Sequence, residues 1–160
     1  MSLESVRAFL AEKAPDIAII ELASSTATVA LAAEGHGVTH GQIAKTLSLR
    51  QGDRPFLVVT RGDARLDNKK ARAAFGGKTS MLTPDEVLAV TGHPVGGVCP
   101  FGLATPLMVY CDVSLKAFDE VVPAAGSRNS AVRINTVRMA ELIGAEWVDV
   151  CKDPLAAAAQ

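Results

Sequence analysis

The sequence has little net charge, no CxxC motif and no long apolar run. Sixteen lysines and arginines face seventeen acids, a formal net charge of −1. That balance argues against a highly charged disordered chain and against a non-specific nucleic-acid binder, which would be basic. No apolar stretch is long enough to span a bilayer. The N-terminus, MSLESVRAFLAEKAP, lacks the basic start and central apolar block of a secretory signal. Cys99, Cys111 and Cys151 cannot all pair within the chain, so a reducing cytoplasm is the economical setting. What the chain does have is apolar residues at 49% over 160 residues, enough for one domain with a real core. Residues 1–152 are expected to form that domain and 153–160, ending in LAAAAQ, a loosely held tail.

Periodicity and turn chemistry divide the chain. Leu3, Val6, Phe9 and Leu10 recur at helical spacing. Strands are expected at 17–22, 56–61, 107–112, 121–125, 131–135 and 146–150. Segment 42–50 should begin as a helical turn and continue as a strand, making a hairpin with 56–61 across QGDRP. Helices are expected at 26–35, 67–77, 83–92 and 136–144, with a helical turn at 114–120. The signal at 83–92 is the cleanest: Thr83 and Glu86 form a capping box, Pro84 takes the first helical position and Gly92 ends the helix. Strands and helices mix without strict alternation. The expected class is therefore α+β, a mixed, largely antiparallel, β-barrel-like sheet surrounded by helices.

Several motifs bear chemistry. G-H-G-V-T-H-G (35–41) misses the dinucleotide fingerprint, because His40 stands where a glycine is required and the run follows a helix. His36 and His40 have metal-ligand spacing, but the glycines disfavour a helix and no third ligand is evident, so no metal is expected and both read as surface histidines. Ser127 lacks a G-x-S-x-G elbow and an identifiable base. In T-G-H-P-V-G-G-V-C-P-F-G (91–102), Cys99 could be a nucleophile only with a base such as His93 folded back onto it. Gly96 and Gly97 carry the stronger message, since a substrate can approach their main chain and meet aimed N–H groups. Lys45 stands among Ile43, Ala44, Leu47 and Leu49, either snorkelling or held as a fixed positive charge for a phosphate or carboxylate. Between Arg61 and Lys78 six basic residues face two acids, a solvated helix face or a phosphate-contacting ridge.

Taken together, I-A-K-T-L (43–47), V-V-T-R-G-D-A-R-L-D (58–67), the 91–102 loop, A-G-S-R-N (125–129) and G-A-E-W-V-D-V (144–150) resemble, in this order, the YbaK/prolyl-tRNA-synthetase-associated editing domains. The resemblance covers nearly the whole chain. It implies hydrolysis of the aminoacyl ester of a mischarged tRNA, most often tRNA(Pro) carrying a small amino acid such as Cys, Ala, Ser or Thr. It also implies a free-standing deacylase that needs no metal or organic cofactor. Lys45 would engage the terminal phosphate or the substrate, and the backbone of Gly96, Gly97, Val98, Cys99 and Pro100 the aminoacyl carbonyl. A substrate hydroxyl, often the terminal 2′-OH, would assist water attack, which leaves the Cys99 sulfur without a part. Thr46, Ser127, Asn129 and Phe101 would contact the substrate, and Arg65, Lys69 and Lys70 the tRNA backbone. Relatives that clear alanine carry Asn and His where Thr46 and Asn129 stand here. Mischarged tRNA is the expected partner, with prolyl-tRNA synthetase a candidate second one, and the oligomeric state is left open. Two rival readings stand beside this one: a non-catalytic tRNA or small-ligand binding module that keeps the pocket, and a cysteine hydrolase using Cys99.

Overall fold

The computed structural model describes residues 2–152, so the expected tail at 153–160 lies outside the described residues. Helix α1 (Ser2–Lys13) leads to a short strand β1 (Ile20–Glu21) and helix α2 (Val29–His36). The long hairpin of β2 (Ile43–Gln51) and β3 (Arg54–Arg61) follows, then α3 (Asn68–Phe75), β4 (Thr79–Met81) and α4 (Pro84–Thr91). After a glycine- and proline-containing loop come β5 (Met108–Asp112), a 3₁₀ turn over Val113–Ala117, and β6 (Glu120–Pro123). The chain then forms β7 (Ser130–Ala131), β8 (Ile134–Asn135), α5 (Thr136–Leu142) and β9 (Glu146–Val148).

Seven strands make a mixed sheet in the order β8-β6-β2-β3-β5-β9, with β4 on the far end of β2. Most paired positions are antiparallel, because β2 and β3 run in register from Ala44↔Arg61 to Gln51↔Arg54. The hairpin turn is Gly52-Asp53, where Gly52 takes a φ of +62° that residues with a Cβ avoid. Parallel pairings join β2 to β6, β3 to β5 and β5 to β9. The architecture is the α+β, barrel-like one expected: a curled mixed sheet with five helices around it.

β3 carries the continuous apolar run Phe56-Leu57-Val58-Val59 because both of its faces are covered. Leu57 and Val59 pack into the main core with Val6 and Leu10 of α1 and Met139 of α5. Phe56 and Val58 face the opposite side, where Phe56, Phe75 and Tyr110 cluster with ring centroids 4.6–5.6 Å apart. Helix α4 starts as its sequence dictates. Thr83 Oγ1 accepts from the Glu86 N–H, Glu86 accepts from the Thr83 N–H, and Gly92 caps the end at a φ of +77°.

Three expectations need correction, and one strand is additional to them. The strand expected at 17–22 reduces to Ile20–Glu21, since only β7 lies beside it. The segment 131–135 divides between two sheets: Ala131 pairs with β1 and Ile134 with β6. Segment 42–50 has no helical turn of its own; the turn closes earlier, with the Ile43 N–H on the His40 carbonyl, and β2 is extended throughout. β4 was not foreseen, because this short, largely exposed strand owes its form to pairing with Leu49–Gln51.

Candidate functional site

The sheet has a gap along one edge of β2. β3 covers the other edge, while β6 pairs only with Ile43 and Ala44 and β4 only from Leu49 to Gln51. After Pro123 the chain turns away, Ala124 bridging Ala131 and the Ala125 N–H donating to the Ser130 carbonyl. Lys45, Thr46 and Leu47 are therefore paired with β3 on one edge and, among the described residues, with no strand on the other. A cavity of about 330 Å³ opens there, walled by β2, the N-terminal end of α2, the 94–98 loop and the 124–131 hairpin. Its lining is mostly aliphatic, Val29, Ile43, Met81, Val95 and Val122 among it, with Lys45 the single charged residue.

Lys45 is half-buried and donates from Nζ to the Ala64 carbonyl at 2.5 Å. An ammonium has three N–H donors, so two remain for whatever enters the cavity. Burial lowers its pKa from the usual lysine value, Asp63 pulls it back up and Arg65 pushes it down. Cys151 would also favour the ammonium as a thiolate, but burial holds that thiol up at about 12. Near neutral pH Asp63 is thus the standing anion acting on Lys45. Thr46, the next residue, also lines the cavity, and its Oγ1 is buried with no hydrogen-bond partner among the described residues.

Glycines let the 92–102 loop lie on the 125–130 turn. Gly96 has a φ of +95°. A Cβ on Gly97 would stand 2.7 Å from the Ser127 nitrogen, and the Gly97 carbonyl accepts from the Gly126 N–H at 3.0 Å. The Gly97 N–H is committed to the Pro94 carbonyl at 2.9 Å. Gly96 and Val98 are the members of the Gly96–Pro100 segment that face the cavity.

Cys99 does not face the cavity. It is fully buried in the core and burial pushes its thiol up to about 12. His93 lies close, with Nε2 3.6 Å from the sulfur, yet it cannot serve as the base. Its Nε2 is 2.7 Å from the Phe101 carbonyl, which can only accept, so that nitrogen carries the proton. Nδ1 faces Ser2 Oγ at 2.5 Å, and burial holds the ring below the usual histidine value. A fully buried, neutral Cys99 beside an imidazole already committed to a carbonyl does not fit the cysteine-hydrolase reading.

The other expected site residues divide. Phe101 is not a substrate contact: it is fully buried and packs on Phe9 of α1 at 5.9 Å between ring centroids. Pro100 lies on a separate groove beside Phe9 and Leu142. Ser127 and Asn129 do not line the cavity. Ser127 Oγ donates to Asn129 Oδ1 at 3.0 Å and meets Ser130 Oγ at 2.6 Å, while Asn129 Nδ2 donates to the Leu22 carbonyl. Ser130, not Ser127, reaches the cavity. Arg65, Lys69 and Lys70 are exposed, but Lys70 is held by Asp149 at 3.0 Å and by the Cys151 carbonyl. His36 is not a surface histidine: it is buried at the end of α2, its pKa lowered by burial and then by Arg133. His40 lies beyond Gly37, where the helix has ended. No cluster of three or more potential metal ligands occurs among the described residues.

Ser48, Ser130, Thr26 and Thr28 were missed at the sequence level. Ser48 had a signal: Lys45, Thr46 and Ser48 are the polar residues in the otherwise apolar stretch 43–49 of β2. The other three come together only through the fold.

Comparison with known proteins extends this geometry. Residues 23–142 match the family described as "Aminoacyl-tRNA editing domain". The uncharacterized protein YwhH of Bacillus subtilis is 51% identical over 155 residues, 96% of this chain and 99% of its own length. A protein of Enterococcus faecalis named "Putative Cys-tRNA(Pro)/Cys-tRNA(Cys) deacylase EbsC" is 27% identical over 74% of this chain and 73% of its own. A proline–tRNA ligase of Citrifermentans bemidjiense is 33% identical over 61% of this chain, which matches only 17% of that enzyme. Among solved structures, one described as a "putative trans-editing enzyme for prolyl tRNA synthetase" superposes with a TM-score of 0.88 at 33% identity, covering 95% of this chain and 98% of that one.

Proposed function

The chain belongs to the aminoacyl-tRNA editing domain family, and we propose that it is a deacylase that hydrolyses the ester of a mischarged tRNA, a small amino acid on tRNA(Pro). The observation that carries the reading is the half-buried Lys45 ammonium at the unpaired edge of β2, facing an apolar cavity beside the Gly96–Val98 backbone. A cavity of about 330 Å³ is at the low end of ligand pockets, which run from about 300 to 1,000 Å³. It suits an aminoacyl group and its ribose better than a whole nucleotide. Such a site has a physical purpose. A methylene more or less is worth only about 1–3 kcal/mol to a pocket built for proline, so errors must be removed at a second site.

The reaction asks little of the protein beyond placement. An aminoacyl ester is already activated, so a water can attack its carbonyl carbon once held in line. Charge then develops on the carbonyl oxygen, opposite the N–H groups of Gly96 and Val98. Lys45 directs its two remaining N–H donors at the terminal phosphate or the ester, and so fixes which bond lies over the loop. The bond from the carbonyl carbon to the 3′-oxygen breaks, and the 2′-OH relays the water's proton to that oxygen. The products are the free amino acid and a tRNA with its 3′-OH restored. Thr46 and Ser130 are the hydroxyls offered to the substrate, while the exposed Arg65 and Lys69 are the cations offered to the tRNA backbone.

The test is single-turnover deacylation of tRNA(Pro) carrying alanine, cysteine, serine, threonine or 2-aminobutyrate, with Pro-tRNA(Pro) as control. Hydrolysis of one or a few of these, with proline spared, is the expected result. Tight binding of the panel with no hydrolysis above the uncatalysed rate would overturn the reading in favour of a binding module.

A further inference from the structure

The motif R-G-D-A (61–64) meets Lys45 through the Ala64 carbonyl. We infer that Arg61 and Asp63 are positioning residues for Lys45: their ion pair fixes the 61–64 turn so that the Ala64 carbonyl holds the Lys45 ammonium at the cavity, with Asp63 acting on that charge through space. The inference rests on the deacylase reading for its consequence in rate, though not for its geometry.

The turn is built tightly around this contact. Arg61 grips Asp63 with two hydrogen bonds, Nε to Oδ1 at 2.6 Å and Nη2 to Oδ2 at 3.0 Å. The same guanidinium lies 4.9 Å from the centre of the Phe118 ring, so it is held from a second side. The Ala64 N–H donates to the Arg61 carbonyl and closes the turn, which leaves the buried Ala64 carbonyl directed at Lys45 Nζ. Two glycines make the packing feasible. A Cβ on Gly62 would stand 2.2 Å from the His40 carbonyl oxygen and 3.1 Å from Ile43 Cβ, so the turn lies flush on the start of β2. A Cβ on Gly41 would stand 2.7 Å from Arg61 Nη2 and 3.2 Å from Asp63 Oδ2. That glycine keeps open the space the ion pair occupies.

Stability alone does not account for this arrangement. Asp63 is exposed although Arg61 is largely covered, so solvent screens the pair and its contribution to folding is modest. Its position relative to Lys45 gives it a different use. The titratable and charged groups acting on Lys45 are Asp63 and Arg65 from the turn and Cys151 from the C-terminal side. Across the hairpin Lys45 faces Thr60, which carries no charge. The Cys151 thiol is neutral well above physiological pH, and Arg65 repels. Asp63 is left as the group that offsets the burial of the ammonium, and Arg61 keeps that carboxylate ionised and in place.

The decisive experiment titrates Lys45 by carbon-13 NMR of its Cε in the full chain, assigned by the signal lost in Lys45→Arg. Asp63→Asn is expected to move the Lys45 midpoint to lower pH while the remaining lysines stay put, and Asp63→Glu to restore it. The alkaline limb of the single-turnover deacylation rate moves down with that midpoint. Arg61→Gln, which loosens the turn without removing the carboxylate, slows deacylation about tenfold or more. A Lys45 midpoint unchanged by Asp63→Asn in a folded chain overturns the inference. A wild-type chain that cleaves no ester defeats the deacylase reading instead, and the NMR titration still decides the role of Asp63.

Discussion

Gly97 and Ser127 are in backbone contact: a Cβ added to Gly97 would stand within 3 Å of the Ser127 nitrogen, α-carbon and carbonyl carbon. This contact sets the height of the glycine loop over the cavity, because the Gly97 carbonyl also accepts from the neighbouring Gly126 N–H. Gly97→Ala must push the two segments apart, since backbone cannot rotate out of the way. A displacement of about 1 Å can lower a rate about a hundredfold, so deacylation should fall by that order while far-UV circular dichroism is retained. A Gly97→Ala chain with wild-type turnover would show that the loop backbone has no part in the reaction.

Lys45 offers the sharper test of chemistry. Among the described residues its Nζ has one hydrogen-bond partner, the Ala64 carbonyl, so truncation leaves a single buried acceptor rather than a broken network. Lys45→Ala is expected to melt close to the wild-type temperature yet lose on the order of 10²–10³ in single-turnover rate, the usual cost of removing one well-placed charge-stabilising donor.

Cys99 should be replaceable. Its thiol is pushed up to about 12 and the one imidazole nearby has its proton committed to the Phe101 carbonyl. Cys99→Ala and Cys99→Ser are expected to deacylate within a few-fold of wild type, at a stability cost of about 1–2 kcal/mol. Iodoacetamide should leave the native activity intact, since alkylation requires an accessible thiolate. Stoichiometric loss of activity on alkylation of Cys99 would revive the cysteine-hydrolase reading.

Phe101 separates what the sequence could say from what only the fold could. A phenylalanine in a glycine- and proline-containing loop reads as a ligand contact, yet α1 lies across the loop and Phe9 covers it, a contact between residues far apart in sequence. The same limit explains Ser127 and Ser130. They occupy one short turn, and which of them faces the cavity is decided by where Gly97 docks and by the pairing of β7 with β1. Local signals were legible where the chemistry is local. The Thr83 box, Pro84 and Gly92 bound α4 within a few residues, and Lys45 stood out as a charge inside an apolar strand. The gap in the sheet was not legible, because it depends on β6 leaving β2 at Ala44 and β4 arriving at Leu49. For Phe101 the consequence is measurable. Phe101→Ala should cost about 3–5 kcal/mol in urea unfolding, while Phe101→Leu should keep most of the deacylation rate. Retained stability with lost activity would return Phe101 to the substrate.

His93 ties three segments together and should make the fold sensitive to acid. Its ring joins Ser2 of α1 to the Phe101 carbonyl in the loop, and Ser2 Oγ also lies within hydrogen-bond distance of the Gly126 carbonyl, its one proton serving either that oxygen or His93 Nδ1. Burial lowers its pKa in the folded protein from 6.5, so the unfolded chain takes up a proton at a higher pH than the folded one. Stability is therefore fully present above that unfolded value and declines as pH falls through it toward the lower folded value. His36, also buried and shifted the same way, adds to the slope. Thermal melts between about pH 8 and pH 5 should show a falling midpoint in the wild type and a flatter profile in His93→Gln, with the remaining slope removed in the His36→Gln, His93→Gln double variant. An equally steep acid loss between about pH 8 and pH 5 in the double variant would show that neither histidine carries it, since Asp16 and Asp63, lowered from 3.8 by Arg138 and Arg61, give up their contribution only below that range.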